Sequence, residues 1–77
     1  MKFTQEVKSN LWFILERYDN INEYNKLCSS LSNLIQDKGN IDDILAVFQS
    51  MNQIDSQDRK ILNKSIGSDI DACLFSI

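Results

Sequence analysis

Not one of the 77 residues is a proline, and the apolar residues recur at steps of three and four almost from end to end. Proline breaks helices, and that spacing gathers apolar side chains onto one stripe of a 3.6-residue turn. The chain is therefore expected to be all-α. In the first segment Phe3, Val7, Leu11, Ile14 or Leu15, and Tyr18 share a face, and Asp19-Asn20 offers a weak stop. The second repeats the pattern with Ile21, Tyr24, Leu27 or Cys28, Leu31, Leu34 and Ile35. It closes at Asp37-Lys38-Gly39, where Gly39 is suited to the left-handed position that ends many helices.

Asn40 stands where a third helix needs its N-cap, with Asp42 and Asp43 in the first turn facing the positive end of the helix dipole. The stripe of Ile41, Ile44, Leu45, Val47, Phe48 and Met51 is wide enough for a central element. Leu31, Leu34, Ile44, Leu45 and Phe48 are the expected centre of the core. Asp55 is the next cap, with Asp58 three residues on as its capping-box companion. The fourth helix, carrying Ile61, Leu62 and Ile66, is expected to stop at Gly67. Ser68 and Asp71 repeat the starting signature, so Ile70, Cys73, Leu74 and Ile77 are assigned to a short fifth helix. The expectation is a compact bundle of four to five short helices forming a single domain over residues 1–77.

The residue inventory argues against catalysis and against cofactors. There is no histidine, which removes the commonest general base and the commonest metal ligand. Two cysteines far apart, Cys28 and Cys73, cannot supply the four ligands of a structural zinc, and their apolar neighbours suit buried free thiols of a reducing compartment. The aspartate pairs 42/43, 55/58 and 69/71 all fall at expected helix starts, where capping accounts for them. With only Gly39 and Gly67, no phosphate-binding loop can be built. The net charge of −3 has the wrong sign for a nucleic-acid binder; only Arg59, Lys60 and Lys64 group together, on the fourth helix. No secretory leader or membrane-length apolar run is visible, so the expected location is the cytoplasm.

Two surface features go beyond helix grammar. Residues 39–77 carry six acidic and three basic residues, while residues 1–38 are neutral. If the third and fifth helices start at one end, Asp42, Asp43, Asp69 and Asp71 form an acidic pole able to steer a basic partner. The run Leu11-Trp12-Phe13-Ile14-Leu15 is apolar all round, with Trp12 and Phe13 on opposite flanks of the buried face. Such a helix is either central in the fold or in contact with a protein partner or a second copy of the chain.

In size, acidity and helical pattern the whole chain resembles the small helical immunity proteins with which bacteria neutralise their own toxins, including those of contact-dependent inhibition. The resemblance implies a binding protein that occludes a toxin domain, often a basic nuclease, with acidic and aromatic surface residues. The resemblance carries no residue assignments; from the acidic pole and the all-apolar run, Trp12, Phe13, Asp42, Asp43, Asp69 and Asp71 are the candidate partner-binding residues. Two other readings fit the same composition: a phage or mobile-element inhibitor of a host defence or regulatory protein, and a small DNA-binding regulatory dimer.

Overall fold

The sequence pattern resolves into four helices arranged as a ring, α1 (Gln5–Tyr18), α2 (Asn25–Ile35), α3 (Ile41–Ser50) and α4 (Ser56–Ser76). This computed structural model describes the backbone of residues 3–76 and the side chains of residues 3–67. Among the described residues there is no strand. Helix α1 packs against α2 and α4, and α3 packs against the same two, so α1 and α3 occupy opposite corners. A single apolar cluster fills the middle. Leu11, Ile14, Leu31, Leu34, Ile44, Val47 and Leu62 are wholly inaccessible to solvent within it.

Three of the four helix starts carry a side-chain cap, while α2 follows a 3₁₀ turn without one. Thr4, in extended conformation, accepts the Val7 N–H at 3.3 Å and begins α1. Asn40 and Asp43 form a reciprocal capping box at α3: the Asn40 side chain accepts the Asp43 N–H at 3.2 Å, and the Asp43 carboxylate accepts the Asn40 N–H at 3.0 Å. At α4, Asp55 accepts the Gln57 N–H at 2.8 Å.

Five expectations need correction. The second helix does not begin at Ile21. A 3₁₀ turn over Asn22–Tyr24 comes first, and it leaves Ile21 exposed while laying the Tyr24 ring 4.8 Å from that of Tyr18. Nor does Gly39 end α2. The left-handed residue is Asp37, at φ 60°, and the Lys38 N–H returns to the Asn33 carbonyl at 2.9 Å, the signature of a Schellman ending. Gly39 serves closeness instead: a Cβ there would overlap the buried Leu34 side chain and lie 3.1 Å from its Cα.

Asp58 does not complete a capping box with Asp55; it turns inward and is fully buried. Phe48 and Leu45 are not central. The buried residues of α3 are Ile44, Ala46 and Val47, with Met51 just after it, and the Phe48 ring falls one step round the helix, 40% exposed. Leu45 is only half-buried, packed on the margin of the cluster. Finally, α4 runs through Gly67 for 21 residues, about 31 Å, with no fifth helix. A lone glycine costs a helix only about 1 kcal/mol, too little to break it without a left-handed turn. The apolar register 62, 66, 70, 73, 77 also passes Gly67 without a phase shift, a signal that was present in the sequence.

Candidate protein-binding face

Leu11, Ile14, Leu15 and Tyr18 take the inner face of α1, which pushes Trp12 and Phe13 outward. Each is 51% exposed, so the all-apolar run is not central but half-presented to solvent. Trp12 borders a groove between α1 and α2, about 400 Å³, walled by Ile35 and by Gln5, Lys8 and Ser9. A second groove of about 410 Å³ lies between α1 and α4, lined by Val7, Asn10, Ile61 and Lys64 among others. Phe13 lies toward this α4 side, because the Arg17 guanidinium 5.9 Å from its ring reaches across to Asp58 of α4. The two rings thus flank a ridge, and of the two only Trp12 lines a groove.

Side-chain links hold that ridge in place. Lys8 bridges to Asp37 at 2.8 Å, tying α1 to the turn after α2, and Asn10 donates to the Ser65 hydroxyl on α4 at 3.2 Å. The strongest tie is at the other end of α1. Asp58, without solvent contact, accepts from Arg17 Nη1 at 3.1 Å and from the Tyr18 hydroxyl at 2.8 Å. The same hydroxyl accepts the Asp55 N–H at 3.0 Å, and the Tyr24 hydroxyl donates to the Gln53 carbonyl. Burial pushes the Tyr18 phenol above its ordinary pKa; the Asp55 N–H opposes the shift and the Asp58 carboxylate adds to it. Sequence reading missed this cluster, since nothing local in the sequence distinguishes a buried N3 aspartate from a capping one.

Of the acidic candidates, Asp42 and Asp43 fall among the described side chains. Asp43 is occupied: one oxygen closes the capping box, and the other accepts from Asn33 Nδ2 at 3.3 Å. Asp42 is exposed at the same helix start, and among the described residues it makes no hydrogen bond or ion pair. Asp69 and Asp71 lie outside the residues whose side chains are described; their backbone is in the second half of α4, so no helix start gathers them with Asp42. A second apolar strip appears on the outer side of α3, where Ile41, Leu45 and Phe48 follow at steps of four and three. Cys28 is a buried free thiol, its pKa raised by burial and then by the nearby Asp19 carboxylate, while Cys73 lies outside the described side chains. No helix among the described residues is long and apolar enough to cross a membrane. Comparison with protein-family models, curated proteins and solved structures finds no match to this chain.

Proposed function

We propose that this is a non-catalytic binding protein of the immunity or antitoxin kind, which neutralises a basic toxin domain such as a nuclease by covering it. One observation carries the reading: Trp12 and Phe13, adjacent on α1, each leave half their surface open to solvent. Aromatic residues are the preferred anchors of protein interfaces, and the groove beside Trp12 gives a partner side chain somewhere to seat. The net charge of −3 and the unpartnered Asp42 favour a basic partner. The toxin assignment itself comes from the resemblance in size, acidity and helical pattern.

The test is capture from the native cells, followed by reconstitution of the purified captured protein with this chain. The expected result is a basic protein whose toxic activity this chain suppresses. Trp12→Ala should weaken that complex by about 2 kcal/mol or more, mainly through faster dissociation. Asp42→Lys should mainly slow association, and less so at high salt. A captured protein that binds Trp12→Ala and Phe13→Ala as tightly as wild type would remove the α1 face from the reading. A partner with no activity to suppress would remove the toxin.

A further inference from the structure

The outer face of α1 carries a charge order as well as two rings. On the Trp12 flank Lys8 lies toward the N-terminal end and Glu16 toward the C-terminal end. On the Phe13 flank the signs are reversed, with Glu6 first and Arg17 last. A two-fold axis perpendicular to α1 sets each flank of the helix against the same flank of its copy, running the other way. An axis at Trp12 therefore places Lys8 opposite Glu16 of the second copy. An axis half a residue earlier places Glu6 opposite Arg17 of the second copy. Both flanks are thus self-complementary about nearly the same point, and the exposed rings sit at that point.

The spans also agree. Lys8 and Glu16 are eight residues apart, about 12 Å, and Glu6 and Arg17 eleven residues apart, about 16 Å, so both pairs lie within the length of α1. Glu6 and Glu16 are exposed and have no hydrogen bond or ion pair among the described residues. Lys8 and Arg17 are held by Asp37 and Asp58 but retain further N–H donors, and Arg17 is 44% exposed on its side chain.

From this pattern we infer that α1 is a self-association surface, on which two copies of the chain pack α1 against α1 antiparallel about a two-fold axis near Trp12. The area limits its strength. Each half-exposed aromatic leaves about 100 Å² to cover, so two rings from each copy supply far less than the roughly 1,200–2,000 Å² of a stable interface. The dimer is a weak one that forms as concentration rises and competes with any partner for the same rings. It stands independently of the toxin reading, because it uses no residue outside α1.

Sedimentation equilibrium of the full chain from micromolar to millimolar concentration is the test, with circular dichroism confirming that each variant folds. Wild type should shift from monomer to dimer across that range. Trp12→Ala should remove the dimer. Glu16→Lys, which places lysines against each other twice per dimer, should raise the dissociation constant by about tenfold or more. Asp42→Lys makes the same change in net charge at the opposite corner and should leave the constant alone. Lys8→Glu and Glu16→Lys should each be monomeric alone yet pair when mixed, since every facing charge is then opposite. Should Lys8→Glu fail to fold, the contrast between Glu16→Lys and Asp42→Lys decides. A wild-type monomer at every concentration overturns the inference, and so does a dimer that Glu16→Lys does not weaken. Neither result bears on whether a toxin binds the same rings.

Discussion

Helices α3 and α4 begin with the same grammar, a capping residue followed three positions later by aspartate, and end with different chemistry. At α3 the box closes on itself, Asn40 and Asp43 exchanging hydrogen bonds at 3.2 and 3.0 Å. At α4 a hydroxyl from another helix has entered the box. The Asp55 N–H donates to Tyr18 Oη, and Tyr18 Oη–H donates to Asp58, so the bond that would have run directly from N–H to carboxylate is relayed through α1. The first arrangement satisfies a helix end. The second satisfies a helix end and fastens it to a helix some forty residues earlier. A local motif becomes a tertiary one when a distant donor of the right reach can be inserted.

The largest effect should follow from removing the carboxylate at the relayed start. Asp58→Ala deletes charge-assisted bonds from Arg17 and Tyr18 in a site with no solvent, and should cost about 2–3 kcal/mol by chemical denaturation. Arg17 is 44% exposed and can return to water, which keeps the loss below that of an ion pair stranded in the interior. A loss under about 0.5 kcal/mol would mean that Asp58 behaves as an ordinary surface residue and that its buried bonds add nothing.

Removing the relay itself comes next. Tyr18→Phe leaves the Asp55 N–H and one Asp58 oxygen without their shared partner, and should cost about 1–2 kcal/mol. If Asp58 then swings back to close the box, part of that loss is recovered, and a double-mutant cycle with Asp58→Ala reads the coupling. There is also a pH signature. The folded protein holds the Tyr18 proton more tightly than the unfolded chain, so this contribution is complete below the ordinary phenol pKa near 10 and is lost as pH rises through the higher folded value. Cys28, also raised by burial, has the same sign from somewhat lower pH. Alkaline unfolding of wild type and Tyr18→Phe should therefore differ above about pH 10, with the residual slope of Tyr18→Phe belonging partly to Cys28. Identical slopes would disconnect Tyr18 from alkaline stability.

What could be read in advance follows the same division between local and distant. The all-α class, the buried stripe of α1 and the Asn40 cap of α3 depend on residues within one or two turns of each other, and all are present. Trp12 and Phe13 were legible as flanking the buried face, since the angle between neighbours on a helix is fixed, but not as exposed. Whether a flank is covered depends on how many helices surround it, and among the described residues α1 packs closely against two, α2 and α4. Phe48 fails for the same reason: α3 carries a wider apolar stripe than α2 and α4 can cover. The Asp58 cluster was hidden because its partners are forty residues away in sequence. The acidic pole was argued from a second helix start at Ser68, through which α4 runs, and the side chains of Asp69 and Asp71 lie outside the described residues.

The closed box should show smaller effects than the relayed one. Asp43→Ala loses the return bond to the Asn40 N–H and the contact from Asn33, about 1–2 kcal/mol in all. Its neighbour Asp42 touches only the field of the helix end, and Asp42→Ala should cost roughly 0.3–1 kcal/mol, declining with salt. Equal losses from the two would show that Asp43 contributes charge rather than geometry, and would bring the α3 start closer to a generic dipole site than to a box.

The smallest effect tests the third place where the sequence writes a helix start and none occurs. Gly67-Ser68, with Asp71 three residues further on, has the same form as the starts of α3 and α4, yet α4 runs straight through it. At Gly67 the backbone is helical, its φ is not positive, and a Cβ would meet nothing within 4 Å. Gly67→Ala should therefore raise stability by about 0.5–1 kcal/mol, because alanine has less backbone freedom to lose and no strain to accept. Gly39→Ala is the counterpart, since the added methyl would press on buried Leu34 and stability should fall. If Gly67 were instead a helix end in left-handed conformation, the same methyl would destabilise by about 1 kcal/mol. The sign of one thermal-melt shift, upward for Gly67→Ala, therefore distinguishes one long α4 from two short helices.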